Sequence, residues 1–286
     1  MKILVTGVNG QLGYDVCRVL SARAMEHRGV DVADFDITDR ASVEAYLADY
    51  RPDAVIHCSA YTAVDLAEDD SPRCFAVNAD GTLHLARAAA ALGAKFLYIS
   101  TDYVFHGDGD AFYEPADPVG PLSVYGRSKQ LGEEHVRNTL NEHFIVRTSW
   151  VFGINGKNFV KTMLRLSKTK QEISVVCDQI GSPTYSYDLA QLLCDMIVTD
   201  RYGTYHATNE GICSWAEFAA EIMRQSRKET RICPIPTAQY PTRAIRPRNS
   251  RLSKDKLTKN GFLRLPDWKD ALTRFLDEYK ALSPND

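Results

Sequence analysis

Val5-Thr6-Gly7-Val8-Asn9-Gly10-Gln11-Leu12-Gly13 decides how this chain is read. It is a G-x-x-G-x-x-G run set between a β-rich stretch, Lys2–Thr6, and an amphipathic stretch, Leu12–Ala24. Glycine lets backbone approach a pyrophosphate, and the last glycine lets helix pack on strand. The helix start then offers free N–H groups and a positive dipole end. A tight β–α turn that binds nothing has the same spacing. Strand before, helix after and a place near residue 1 favour a nucleotide site with Gly7, Gly10 and Gly13 against the phosphates. An acid about 20 residues on would hold the adenosine ribose. Asp31, Asp34 and Asp36 stand there, with Arg28 as the alternative that would face a 2′-phosphate. NADH against NADPH stays open.

Outward from this loop, strand and helix patterns alternate. Ala54–Cys58, Lys95–Ser100 and Phe144–Arg147 read as strands, with a weaker one at Arg28–Val32. Arg40–Tyr50, Cys74–Leu92 and Tyr125–Leu140 read as helices. That alternation implies βαβ crossovers and a parallel sheet. After Trp150 the rhythm becomes mixed and proline-rich, and Trp268–Leu282 closes as an amphipathic helix. The expected fold is α/β: a Rossmann-like doubly wound parallel sheet with a smaller mixed α/β substrate domain. Residues 1–150, with about 172–200 returning to that sheet, form the first unit; about 151–171 and 201–286 form the second.

With 286 residues, 44% hydrophobic and 25% charged, the composition is that of a globular protein, not a disordered or fibrous one. A net charge of −3 gives no reason to expect nucleic-acid binding. No apolar run reaches the roughly 18–20 residues a bilayer requires, and the start lacks a signal-peptide pattern. The seven cysteines are odd in number and lack C-x-x-C spacing, which suits reduced thiols and a cytoplasmic setting. The histidines show no H-x-x-x-H spacing, so no zinc site is expected.

Tyr125-Gly126-Arg127-Ser128-Lys129 places a phenol and an ammonium one helical turn apart. A lysine there would lower the phenol pKa from its usual ~10. The tyrosine could then protonate a carbonyl oxygen while hydride attacks the carbon. Alone, the spacing is common among solvated surface pairs. It gains weight from Ser100-Thr101-Asp102, which ends a strand where an open parallel sheet places ligands. Thr101 is the natural hydroxyl to hold the same carbonyl.

These segments together resemble the extended short-chain dehydrogenase/reductases, and within them the dTDP-4-dehydrorhamnose reductase branch. Further markers are Ala60-Tyr61-Thr62-Ala63-Val64-Asp65, Arg147-Thr148-Ser149-Trp150, Asn158-Phe159-Val160-Lys161 and Arg246-Pro247-Arg248-Asn249-Ser250. The resemblance implies reduction of the 4-keto group of dTDP-4-dehydro-β-L-rhamnose by NADPH or NADH. It implies Tyr125 as general acid, Lys129 as its electrostatic partner and Thr101 as the carbonyl-orienting hydroxyl. It implies cofactor contacts at Gly7, Asn9, Gly10, Gln11, Leu12, Gly13, Asp31, Asp36, Ile37, Ala60, Tyr61 and Thr62, besides Tyr125 and Lys129. Sugar-nucleotide contacts are implied at Thr62, Val64, Thr101, Asp102, Trp150, Asn158, Arg246 and Asn249. Trp150 could instead be a core indole. A homodimer is a further expectation. Some relatives are Mg²⁺-bridged dimers; here Asp15 stands at the early position and no metal is assigned.

Two rivals remain. A nucleotide-sugar epimerase or 4,6-dehydratase would return its cofactor unchanged, and Asp102 superficially suits the latter, but Tyr103 breaks the Asp-Glu pair. A non-catalytic regulatory subunit on the same fold would have no use for Thr101, Tyr125 and Lys129 together. The acids Asp65, Glu68, Asp69 and Asp70 read as a solvated helix start.

Overall fold

Three aliphatic residues and a threonine, Ile3–Thr6, are buried on both faces and form the central strand β1 of this computed structural model, which describes residues 1–282. The glycine run turns the chain into helix α1 (Gln11–Ala22). Strand β2 (His27–Val30), helix α2 (Arg40–Tyr50) and strand β3 (Ala54–His57) follow. Both β2 and β3 pair with β1 in parallel, one on each side. Short helices α3 (Val64–Ala67) and α4 (Ser71–Phe75) lead through a π-turn, Ala76–Asp80, into α5 (Gly81–Ala91). Strand β4 (Lys95–Thr101), helix α6 (Val124–Thr139) and strand β5 (His143–Thr148) complete the alternation. The strand Gly203–His206 joins beyond β5, giving six parallel strands in the order β2-β1-β3-β4-β5 and then Gly203–His206.

Two cores flank the sheet. Helix α1 and the helix Ser186–Ile197 cover one face through Val16, Leu20, Leu189 and Leu193. Helices α2, α5 and α6 cover the other through Val43, Leu47, Leu85 and Val136. The strand order reverses between β1 and β3, where an open α/β sheet leaves a crevice at the carboxyl ends. A third core, built on Phe152, Tyr185, Phe218, Trp268 and Phe275, belongs to the second half of the chain.

Two strands lie elsewhere than the pattern suggests. Glu172–Val176, expected to return to the main sheet, pairs in parallel with Arg231–Ile235. Its burial alternates, which suits a two-stranded ribbon covered on one face by the helix Trp215–Gln225. Gly203–His206, assigned by sequence to the second unit, enters the main sheet because Tyr205 and His206 are fully buried there. The helix expected over Cys74–Leu92 is interrupted by the π-turn, a feature often found at functional sites. No helix among the described residues is long and apolar enough to cross a membrane.

Candidate active site

A cavity of about 950 Å³ opens over the carboxyl ends of the central strands. Its floor is the glycine run. Gly7 has φ +73°, and a Cβ there would stand 2.7 Å from the Ser59 amide nitrogen. A side chain at Gly13 would overlap the Gly7 carbonyl. Only glycine at both allows β1, α1 and the segment after β3 to converge. The loop is braced from the second half of the chain: Asn155 donates to the Asn9 carbonyl at 2.8 Å.

The expected cofactor residues Gly7, Asn9, Gly10, Gln11, Leu12, Gly13, Asp31, Asp36, Ile37, Ala60, Tyr61 and Thr62 all line this cavity. Asp31 follows β2 and accepts from the Asn9 backbone N–H at 3.0 Å. Arg28, the alternative at the ribose, instead stacks over the Tyr50 ring at 4.2 Å and is not among the lining residues.

Tyr125 and Lys129 lie on α6, and its start is tightly built. Ser123 caps it by accepting from Gly126 N–H at 3.1 Å, and Glu68 accepts from Val124 N–H at 2.8 Å. A Cβ at Gly126 would overlap the Tyr103 carbonyl, so this glycine lets α6 press onto the end of β4. Thr101 hydrogen-bonds Tyr125 and donates to Asp102 at 3.0 Å. Asp102 also accepts from Ser250 at 2.5 Å. Burial lifts the Asp102 carboxyl to about 6, against the two hydroxyl donors that pull it down.

The structure changes one expectation about the pair. The Tyr125 phenol is pushed up, by burial first, while the Thr101 hydrogen bond pulls it the other way. It is therefore a neutral O–H at physiological pH, the form that can donate a proton. Lys129 is buried, its ammonium 4.0 Å from the centre of the Tyr98 ring. Burial brings it down to about 7, although Glu133, one turn further along α6, raises it. Glu133 stays ionised because Arg147 grips both its oxygens at 2.8 Å. Beneath them His57 sits between Thr6 at 2.8 Å and Thr82 at 3.1 Å, and burial lowers it to about 3, so it is neutral.

Of the expected sugar-nucleotide residues, Thr62, Val64, Thr101, Asp102, Trp150 and Asn158 line the cavity. Arg246 and Asn249 do not. Asn249 is buried, and its amide donates to the Asp108 and Ala111 carbonyls, so it ties its segment to the loop after β4 rather than facing a ligand. Arg246 is engaged by Asp65 at 2.5 Å. Asn158 caps the helix Phe159–Ser167 and donates to Gln11 at 3.0 Å and the Gly153 carbonyl at 2.8 Å, so both its donors are spent on structure. Trp150 has φ +52°, rare for a bulky residue and costing about 1–3 kcal/mol. Its ring stacks on Trp215 with centroids 3.8 Å apart.

Sequence reading misses Trp215, Tyr103 and Asn78. Trp215 lines the cavity from the first turn of its helix, announced by the Ser214/Glu217 capping box. Asn78 sits in the π-turn and bonds both ways with the Tyr61 backbone and with Ser128 at 2.9 Å, so it joins the segment after β3 to α6. A buried asparagine in an Ala-rich helix was the available signal.

Asp15 does not fit a metal. It is fully buried and accepts from Ser186 and from Arg18 at 2.8 Å, and Arg18 also pairs with Glu278 at 2.6 Å. A guanidinium already neutralises these acids. Among the described residues no group of three or more His, Cys, Asp or Glu side chains could hold an ion. All seven cysteines are free thiols.

The family model described as RmlD substrate binding domain matches residues 1–281. The chain belongs to that family. It is 43% identical to the Bacillus subtilis spore coat polysaccharide biosynthesis protein SpsK, over 97% of both chains. It is 39% identical to the Sinorhizobium fredii dTDP-4-dehydrorhamnose reductase, over 96% of this chain and 97% of that one. Among solved structures, the Bacillus anthracis dTDP-4-dehydrorhamnose reductase in complex with NADP superposes with a TM-score of 0.95 at 43% identity, covering 97% of this chain and 100% of that one.

Proposed function

We propose that this RmlD-family chain is an NAD(P)H-dependent oxidoreductase that reduces the 4-keto group of dTDP-4-dehydro-β-L-rhamnose to give dTDP-L-rhamnose. The observation that carries this reading is one cavity lined by the glycine run, Thr101, Tyr125 and Lys129 together. A reduced nicotinamide bound over Ala60 and Tyr61 would supply the hydride. Thr101 would hold the carbonyl oxygen, and Tyr125 would give it the phenol proton. Lys129 would stabilise the resulting phenolate and hold a ribose hydroxyl. In this reading Thr62, Val64, Asp102, Trp150 and Trp215 surround the sugar nucleotide. In this reading residues 1–150, with Ser186–Ile197 and Gly203–His206, form the unit that holds the cofactor, and the sugar nucleotide lies between that unit and the second half of the chain, which supplies Trp215. The reading carries with it a cytoplasmic homodimer, which sedimentation and fractionation test.

Tyr125→Phe tests the assignment. Loss of a positioned general acid costs roughly 10²–10⁴-fold. Turnover of dTDP-4-dehydrorhamnose should fall by about that much while NADPH titrates with unchanged affinity. Wild-type turnover in the variant would refute the acid role. Net consumption of one reduced cofactor per product separates a reductase from an epimerase or dehydratase.

A further inference from the structure

Residues 153–158 leave the strand Val151–Phe152, in the second half of the chain, and lie across the glycine run. Asn155 donates to the Asn9 and Gly10 carbonyls at 2.8 and 3.2 Å, and Asn158 donates to Gln11 at 3.0 Å. These bonds fasten the strap to the residues that open α1. Lys161 donates to the Ile154 carbonyl and, at 3.0 Å, to the Gly156 carbonyl, so its ammonium is spent on holding the strap. Gly156, at φ +70°, turns the chain, and Gly156 and Lys157 line the cavity. Lys157 is exposed, and among the described residues it has no hydrogen-bond or ion-pair partner. The cations that line the cavity are Arg73, Lys129 and Lys157. Lys129 stands one turn from Tyr125, and Arg73 lies on α4, which packs on α6. Of the three, Lys157 is the one carried by the segment bonded to residues 9–11. Helix α1 itself begins with no capping side chain and no acid in its first turn. Its free N–H groups amount to about half a positive charge. A dinucleotide pyrophosphate carries a negative charge on each phosphate, so the main chain alone leaves most of that charge uncompensated.

We propose that Lys157 binds the pyrophosphate of the dinucleotide cofactor, so that the second half of the chain closes the phosphate cradle opposite the glycine run. The inference rests on the cofactor reading of the preceding subsection. The glycine run supplies close approach and main-chain donors; Lys157 supplies a full charge on a side chain that has no other partner to give up. A pyrophosphate is common to NADH and NADPH. The 2′-phosphate belongs to NADPH alone, and dTDP carries its diphosphate into the sugar-nucleotide region. The pattern of loss across these three ligands therefore identifies the phosphate that the lysine meets.

Calorimetric titration with NADH, NADPH and dTDP, each at low and raised salt, is the test. Lys157→Gln should weaken NADH and NADPH by the same factor, about fivefold, and leave the dTDP Kd within twofold. Lys157→Glu should weaken both cofactors at least thirtyfold, and Lys157→Arg should keep them within twofold of wild type. Salt screens the contact of an exposed ammonium with phosphate, so NADH binding should depend less steeply on salt in Lys157→Gln than in wild type. Asn155→Ala releases the strap but keeps the lysine; it should weaken both cofactors about threefold. Combined with Lys157→Gln it should fall short of the product of the two single effects, because both act through one ammonium. Unchanged cofactor affinity in Lys157→Glu would overturn the inference, as would a loss confined to NADPH or to dTDP. A wild-type chain that binds NADH but transfers no hydride to dTDP-4-dehydrorhamnose would sink the reductase reading instead, leaving the NADH titrations to judge Lys157.

Discussion

Around Gly7, Gly10 and Gly13 the cavity wall is main chain; around Trp150 and Trp215 it is side chain stacked on side chain. The first wall needs no particular side chain, only the absence of one, and lies within seven residues of sequence. The second joins residues 65 positions apart, through a backbone angle at Trp150 that other contacts must enforce. Thr184 N–H donating to the Trp150 carbonyl at 3.1 Å is one such contact. Gly181 packed beneath the indole is another, since a Cβ there would stand 2.9 Å from the ring. The glycine wall is therefore stiff because it is local. The Trp150–Trp215 wall is stiff only while distant segments stay in register.

Gly13→Ala attacks the first wall and should have the largest effect. The new methyl overlaps the Gly7 carbonyl, so either α1 or the turn must move. Affinity for NADPH, followed by fluorescence titration, should drop at least 100-fold. Affinity for dTDP should change far less, since the second wall is untouched. An alanine variant that keeps wild-type NADPH affinity would show that the glycine is mere packing and that the contrast between the halves is overstated.

Trp215→Ala attacks the second wall. It removes the partner of Trp150 but leaves the backbone of the glycine run alone. We expect about a tenfold rise in KM for the sugar nucleotide, with NADPH affinity within twofold. Equal losses for both ligands would mean that the two halves are coupled more tightly than their construction suggests.

The same contrast explains what could be read in advance. The glycine run and the Tyr125–Lys129 spacing are local signals, and both land in one cavity. The six-stranded sheet follows from alternating patterns, apart from the strands at 172–176 and 203–206. Choosing between those two requires knowing which face each buries, and that is a tertiary fact. Asn249 and Asn158 have the chemistry of ligand contacts, but their donors go to carbonyls and to Gln11 across the fold. No spacing rule reveals that a polar group is already spent. Arg246 is the same case: its partner Asp65 stands 181 positions away.

Lys129 lines the cavity that both walls enclose, and its titration gives the smallest expected effect. Its ammonium is packed on Tyr98, with His57 neutral beneath it and Glu133 as the nearby anion. Burial has lowered the lysine to about 7, so the charged form dominates below that pH and is lost above it. A step that needs the ammonium must slow as pH rises. Between pH 6.5 and 8.5 kcat should fall several-fold, while the pH-independent stacking at Trp150 leaves KM for the sugar nucleotide nearly flat. Asp102, held near 6, titrates below this window and is separated by repeating the profile with Asp102→Asn. Glu133→Gln removes the anion that supports the charge, so the alkaline limb should move to lower pH, whereas Glu133→Asp should leave it close to wild type. A kcat that stays level to pH 8.5 in the wild type would mean that the bound cofactor, not Glu133, keeps Lys129 protonated, and the lysine would then belong to the cofactor half alone.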